Sequence, residues 1–407
     1  MGIGTLLRYL IGDRAAIQEI AGSRRALWVG LVFVVSAGLA REYDGEDLLH
    51  EPWYALIPLA ASLVSSFILF LLCFAKVMAS DPARPPFFSA YRSFLTLFWM
   101  TAPLAWLYAI PYERFLSPYD AMRANLLSLG LVAAWRVALM CRVVTALMGY
   151  SAWAAILLVL LFGDGVALLA IGLIPKPMVG FMGGIRHTDT EKLILNTTCC
   201  VTQLGFCSLP FLIYGLVGVI SKSKPVWQLP ASAYREGSRR KYGLVILAVF
   251  SVGIWAVILP ITQPEQLNRR RAEDDLRNGR IEEALAEMSA HSPADYPPQW
   301  EPPPRIGYGE RSPLIFDVME VVVEKPPAPW VREIYVEKLD QFLYSYHHLY
   351  SYPQSYLKRL LPLLQQLPEG PSLIEEHRDM IEAALGWDKD LTEEEHKIYR
   401  SLLKANR

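Results

Sequence analysis

The sequence predicts an all-α protein, in which a polytopic helical membrane bundle of about seven spans precedes a C-terminal soluble helical domain. Hydrophobic residues make up 53% of the 407 residues and charged residues only 19%, and the hydrophobic residues are concentrated in long runs. The charges are divided as well. Residues 1–263 hold 21 Lys+Arg and 14 Asp+Glu, a net +7, whereas residues 264–407 hold 18 and 26, a net −8. The overall charge of −1 therefore hides two parts with different surroundings.

Seven apolar stretches qualify as candidate spans, since a helix needs about 20 mostly apolar residues to cross a hydrocarbon core of about 30 Å. Together they make residues 26–263 a transmembrane bundle. They are residues 26–40, 53–75, 94–110, 125–147, 152–173, 199–220 and 243–261. The first and third stretches are short, but aromatic and arginine residues near their ends would anchor them in the interface. Pro58, Pro103 and Pro210 lie inside spans and predict kinks.

Residues 1–25 form a lead before the first span. Leu6, Leu10, Ile17 and Ile20 recur at roughly helical spacing, which predicts short amphipathic helices. These helices would either lie at the membrane interface in contact with lipid or pack on the bundle. The first span itself also resembles a signal peptide that ends in small residues near Ala40. Because the lead is long for a signal peptide, we favour an uncleaved first helix.

The charges between the spans predict the orientation of an integral membrane protein, in the cytoplasmic or inner membrane if the cell is bacterial. The lead and residues 76–92 and 221–242 are basic, while residues 41–51 hold one Arg and five acidic residues. Because basic segments stay inside, seven spans predict a cytoplasmic amino terminus and an extracytoplasmic C-terminal domain. Five arginines between residues 269 and 280 oppose this prediction, and one miscounted span would invert the tail.

The acidic part divides into two segments. Residues 264–305 combine a charged helix with a proline-rich connector, which favours an extended spacer. Residues 306–407 form an acidic tail domain of four or five helical elements, of which residues 313–323 fit either a helix or a strand. Capping boxes are predicted at Ser372 with Glu375 and at Thr392 with Glu395. A tyrosine-rich stretch between residues 344 and 356 fits a partner surface or packing at a domain edge.

Two ionisable residues, Arg136 and Asp164, lie deep in the fourth and fifth spans, where charged groups are costly and usually have a role. Each is 14 residues from the tight connection near Tyr150, so both lie about 20 Å from that turn at about 1.5 Å per residue. Antiparallel neighbours would bring them together as an intramembrane polar pair. Such a pair would either pin two helices together or form a substrate- or proton-coupled site.

Recognisable catalytic chemistry is missing from the sequence. It has no His-Glu-x-x-His, Cys-x-x-Cys or Gly-x-Ser-x-Gly motif, which disfavours metallohydrolases and serine hydrolases. Tyr119-Asp120 and Gly163-Asp164-Gly165 share part of the intramembrane aspartyl protease pattern, but Leu161 replaces its first glycine. We therefore predict no catalytic residue, no cofactor and no metal ligand. The acidic soluble part also argues against nucleic-acid binding.

Three functional hypotheses follow. The first is a non-enzymatic membrane scaffold or recruitment component, which contacts the lipid bilayer through its bundle and a protein partner through its C-terminal helical domain. The alternative is a transporter or channel-like subunit in which Arg136 and Asp164 form a midplane polar site. The third, intramembrane hydrolysis, requires a second carboxylate near Asp164.

Overall fold

A computed structural model describes residues 1–173, 189–229, 242–304, 313–345, 356–387 and 391–405, and these residues are helical without any strand. The all-α prediction is therefore confirmed for the described residues. The chain divides into two compact units, one ending at Gln263 and the other beginning at Pro264. The glycine-rich loop at residues 180–184 and much of the tyrosine-rich stretch lie outside the described residues.

The first unit is built from two short helices followed by longer apolar ones, and its last helix, α10, continues into the second unit. The helices are α1 (Ile3–Leu10), α2 (Arg14–Gly22), α3 (Arg24–Glu42), α4 (Ile57–Ser80), α5 (Phe87–Trp99), α6 (Pro118–Met148), α7 (Ala152–Leu173), α8 (Asp189–Ile220), α9 (Gly243–Gly253) and α10 (Trp255–Arg277). Within the described residues, six segments are long and apolar enough to cross a membrane. The count rises to seven if α2 and α3, which meet at a 99° bend, form one span.

The three prolines predicted to kink spans have different roles. Pro58 lies in the first turn of α4, where its missing N–H removes no helical hydrogen bond. Pro103 follows the end of α5, where the chain continues as a 3-10 helix over Ala102–Ala109. Pro210 lies inside α8. The third predicted span is therefore a broken helix.

Helix α3 lies at the centre of this unit because two of its glycines let the backbone of neighbouring segments come close. A Cβ on Gly38 would lie 2.3 Å from the Ala55 carbonyl oxygen, and one on Gly30 would lie 2.9 Å from the Trp99 Cβ. Phe33, from the same helix, is fully buried. The first predicted span is therefore an internal helix of the bundle, shielded by other helices.

One end of the bundle gathers the basic segments, and we call it the basic end. The Asp81 carboxylate, just after α4, accepts a hydrogen bond from the Trp227 backbone N–H at 2.9 Å. The Gln228 backbone N–H donates to the Leu147 carbonyl at the end of α6 at 2.9 Å. Arg14 of the lead donates to the Gln228 side chain at 3.2 Å. The lead and the segments after α4 and α8 thus meet at one end.

The opposite end, which we call the acidic end, contains the loop after α3. Thr262 and Gln263 of α10 both donate to the Tyr43 carbonyl, at 2.9 and 3.1 Å. Burial, together with the nearby charge of Glu113, raises the pKa of Asp44 to about 6. Since α3 begins at the basic end and α10 reaches the acidic end, the described helices cross the bundle an odd number of times.

The lead packs on the bundle. Tyr9 and Ile17 are fully buried, and the Tyr9 hydroxyl donates to the Leu97 carbonyl at 2.5 Å. Two residues of α6 satisfy carbonyls at the end of α1: Trp135 donates to the Leu10 carbonyl at 2.8 Å and Arg142 to the Gly12 carbonyl at 3.3 Å. One face of the lead thus packs on the bundle, while Ile3, Leu7 and Ile11 on its other side remain exposed.

The second unit has its own hydrophobic core. After the end of α10, its helices are α11 (Ile281–Ser289), α12 (Ile315–Glu324), α13 (Pro329–Ser345), α14 (Tyr356–Gln366), α15 (Gly370–Glu376), α16 (Arg378–Trp387) and α17 (Glu393–Ala405). The ambiguous segment 313–323 is helical. Thr392 and Glu395 form the predicted capping box, with the Glu395 N–H donating to the Thr392 hydroxyl at 3.2 Å. The box predicted at Ser372 is wrong, because α15 already begins at Gly370.

The proline-rich connector packs on this core, unlike the free spacer that its composition suggests. Tyr296 is buried and stacks on Trp300 with ring centroids 4.6 Å apart. The Tyr335 hydroxyl donates to the Pro303 carbonyl at 3.0 Å, and the buried Lys338 ammonium donates to the Pro304 carbonyl at 3.1 Å. The described part of residues 264–305 therefore belongs to the same folded unit as the tail helices.

Candidate functional site

Asp164 lies near the middle of α7 and faces α8. The Ser208 hydroxyl donates to Asp164 Oδ2 at 2.8 Å. Gly205, one turn earlier on α8, makes room for the carboxylate, since a Cβ there would lie 2.7 Å from Asp164 Oδ1. Close contact of the two helices at Gly205 thus places a carboxylate and a hydroxyl together in the middle of two candidate spans.

Arg136 lies in a different environment. Its guanidinium carbon is 5.3 Å from the centroid of the Phe98 ring of α5, a cation–π arrangement. Arg136 therefore faces the third segment of the bundle, where the Phe98 ring lies beneath its charge.

Arg136 and Asp164 do not form an ion pair in this structure. Asp164 has Ser208 as its hydrogen-bond partner, and none of the ion pairs among the described residues includes either residue. Both groups lie deep in their helices, but depth alone does not fix the direction in which each helix turns its side chain. Asp120, the other carboxylate of the protease-like pattern, accepts from Ser117 at the start of α6.

Ser208 and Gly205 are not recognisable from the sequence as partners of Asp164. The only signal is their spacing: they lie three residues apart, on one face of α8. Several other hydroxyl and small residues in α8 have similar spacing, such as Thr198 and Thr202, so the sequence does not single this pair out.

A second polar cluster lies in the tail unit. The nearly buried His377 contacts Asp340 through Nε2 at 2.6 Å, and Glu376 brings a third ligand-type atom to within 4.8 Å of both. His377, which stands alone in the sequence pattern, thus has a partner from α13. Among the described residues this is the group whose geometry suits a metal ion. The His377–Asp340 contact by itself accounts for the burial of the imidazole.

Comparisons with protein families, with curated proteins and with solved structures gave no match to this chain. The two units and these polar sites are therefore the features from which a function can be inferred.

Proposed function

We propose that this protein is an integral membrane scaffold whose C-terminal helical domain recruits a protein partner. The observation that carries the proposal is the second unit itself. It has a separate hydrophobic core, and its part of the chain carries a net charge of −8. A folded, charged domain in the same chain as a bundle of apolar helices is what a membrane-anchored recruitment module requires. The proposed role is a non-enzymatic one.

Membrane insertion is supported by the surface of the first unit. The outward face of α4 is uniformly apolar and includes Val64, Phe67, Ile68, Leu71 and Leu72. An apolar patch of this kind is unusual on a soluble monomer and suits contact with lipid. The lipid bilayer is therefore the proposed surrounding of residues 26–263.

The proposed orientation has a cytoplasmic amino terminus and an extracytoplasmic C-terminal domain. The three basic segments meet at the basic end, which the positive-inside tendency would keep in the cytoplasm. Gln263 lies at the acidic end, so the chain would leave the membrane on the other side. A reporter enzyme fused after Arg407 tests this topology, and cytoplasmic activity of the fusion would contradict it.

The partner proposed for the tail is a protein with a basic surface, because opposite charge steers association. On α13, Glu333 and Glu337 are exposed and lie one turn apart. We expect a photo-crosslinking residue placed at Gln341, on the same exposed side, to give a discrete protein adduct in intact cells.

The matched variant is E333K/E337K, which should remove the Gln341 adduct while the melting temperature of the full chain stays unchanged. Raising the ionic strength should weaken the adduct in isolated membranes, since exposed charges are screened. Absence of adducts from Gln341 and from exposed positions on every tail helix would contradict recruitment through this domain.

A second candidate function is transport, and the Asp164–Ser208 contact favours it. A carboxylate and a hydroxyl at the middle of two spans form the kind of group that holds a proton or a small cation during translocation. Proteoliposomes containing a pH-sensitive dye inside test this candidate under an imposed potential. A proton flux that is lost in D164N would favour transport, and equal proton leakage in both proteins would exclude it.

A further inference from the structure

Helices α13 and α15 bring three side chains of metal-ligand type together within the second unit. Asp340 comes from α13, Glu376 is the last residue of α15, and His377 joins α15 to α16. One ligand atom from each residue lies within 4.8 Å of the other two. Because 37 residues separate Asp340 from His377, no local spacing marks them as ligands, and the sequence predicts none. The fold alone creates this group.

The His377 imidazole is held in place by the protein itself. Only 5% of the residue is exposed. Its backbone N–H donates to the Leu373 carbonyl at 3.0 Å, and its carbonyl accepts from the Ile381 N–H at 2.9 Å. Tyr344, one turn after Asp340 on α13, packs edge-on against the imidazole with ring centroids 5.3 Å apart. A ligand fixed in this way loses little conformational freedom on binding, which favours affinity.

The negative charge of this group is not balanced by a basic side chain. The His377 imidazole is the ion-pairing partner of Asp340, and Glu376 forms no ion pair with a described Lys or Arg. Several carboxylates elsewhere in the described tail that reach a neighbouring element meet an arginine instead. The arginine pairs are Arg359 with Asp317 and Glu320, and Arg332 with Glu369. Two carboxylates beside one imidazole therefore leave negative charge that a divalent cation would neutralise.

We infer that Asp340, Glu376 and His377 bind a divalent transition metal of the zinc class, with water in the remaining position. An imidazole nitrogen suits Zn²⁺ and related transition metals, whereas Mg²⁺ and Ca²⁺ prefer oxygen ligands. Three protein ligands and one water are an established ligand set for Zn²⁺. The three residues all lie in the second unit, so the site is independent of the membrane insertion proposed above.

The distances require only a small adjustment. Zn²⁺ lies about 2.0–2.2 Å from imidazole nitrogen and carboxylate oxygen, so its tetrahedral donor atoms are about 3.3 Å apart. The contact between His377 Nε2 and Asp340 Oδ1, now 2.6 Å, must lengthen by about 0.7 Å, and its proton passes to solvent as the metal replaces it. Because Glu376 is exposed, the ion has a route from solvent and room for a bound water.

Zinc titration of the tag-free full chain in detergent, after chelation and dialysis, tests this site. We expect saturable binding of one Zn²⁺ per chain in the presence of excess Mg²⁺. E376Q should weaken binding at least about tenfold, and its melting temperature without zinc should equal that of the parent because Glu376 is exposed. E375Q is the matched control, since it removes the same charge from the adjacent exposed residue, and it should bind zinc like the parent. Equal weakening in the two variants would indicate a diffuse acidic surface and overturn the site.

The ligand set has its own readout. X-ray absorption of the zinc complex should show imidazole nitrogen and oxygen around the metal. A sulfur ligand would place zinc on the cysteines, all of which lie between residues 73 and 207, and would overturn the site. D340N and H377Q should lose binding, whereas H291Q should keep it, because the His291–Glu287 contact at 3.6 Å is another histidine–carboxylate pair of the same unit.

Hydrogen exchange locates the bound ion. Zinc should slow exchange at the His377 and Ile381 amides, which lie at the junction of α15 and α16, in the parent but not in E376Q. Absence of saturable binding below about 0.1 mM zinc would overturn the inference, as would binding that E376Q retains in full.

Discussion

At the scale of single residues, Gly205 is the position at which α7 and α8 depend most on the absence of a side chain. An added methyl group would lie 2.7 Å from Asp164 Oδ1 and 3.0 Å from Leu168 Cδ2, so G205A must push the helices apart or displace the carboxylate from Ser208. We expect a loss of about 1–3 kcal/mol in the free energy of unfolding, measured in detergent. G130A is the control, because a Cβ there meets nothing within 4 Å. Equal stability of the two variants would contradict the close contact.

The same region shows what could be read from the sequence and what could not. The depths of Arg136 and Asp164 follow from counting residues along two spans, and both do lie deep in their helices. Their partners depend on helix rotation and on which helix lies alongside. The apolar character around these residues is too uniform to reveal either, since α6 and α7 are hydrophobic on most faces. Ser208 and Phe98 were therefore beyond sequence reasoning.

Asp44 at the acidic end supplies a prediction about pH. Burial and the nearby Glu113 raise the pKa of Asp44 to about 6, above the value of about 4 in an unfolded chain. The folded protein thus binds a proton more tightly than the unfolded one. This contribution to stability is fully present below about pH 4 and is lost as the pH rises through 6.

The D44N variant should abolish that contribution to the pH dependence. At pH 7.5 it should be more stable than the parent by about 1–2 kcal/mol, a figure reduced for partial solvent exposure, and near pH 4 the advantage should vanish. Thermal melts of both proteins in one detergent at several pH values provide the measurement. A difference in stability between the two proteins that does not change with pH would show that the pKa of Asp44 is not raised in the folded protein.

At the scale of elements, helix class and many starts were predictable, while packing was not. The capping box at Thr392 is local chemistry and was correctly predicted, since both partners lie within one turn. The proline-rich composition of the connector predicts an extended spacer. It gives no information about the Tyr335 and Lys338 side chains, which lie more than 30 residues away and donate hydrogen bonds to the connector. These long-range hydrogen bonds to the Pro303 and Pro304 carbonyls hold the connector on the core, although its local composition favours an extended spacer.

The packed connector leads to a third prediction. Burial raises the pKa of Tyr335, so its hydroxyl remains a donor to the Pro303 carbonyl. Y335F should leave that carbonyl without this donor, lower stability by about 1 kcal/mol and speed hydrogen exchange at the Gln299, Trp300 and Glu301 amides. Y399F is the matched control, because the buried Tyr399 hydroxyl donates to Leu357 instead. It should cost similar stability without changing exchange in the connector, and faster connector exchange in both variants would refute the specific contact.

At the scale of the whole molecule, the near-zero net charge conceals two units with separate cores and opposite charge. The second core includes Ala272 and Leu276, which come from the end of α10, so a fragment must begin near residue 264 to contain it. The sequence boundary at Pro264 coincides with the structural one because the apolar runs end there and charge begins. A boundary set by composition is predictable in a way that helix rotation is not.

The final prediction concerns that boundary. A fragment of residues 264–407 should be soluble without detergent, helical by far-UV circular dichroism and cooperative in thermal unfolding, since it retains a full core and a charge of −8. L339A, at a fully buried position of α13, should lower its stability by about 2–4 kcal/mol. The same substitution in the full chain should shift one unfolding transition and leave the bundle transition in place. A fragment that aggregates or melts without cooperativity would show that the tail needs the bundle to fold, and recruitment would then have to be sought in the whole chain.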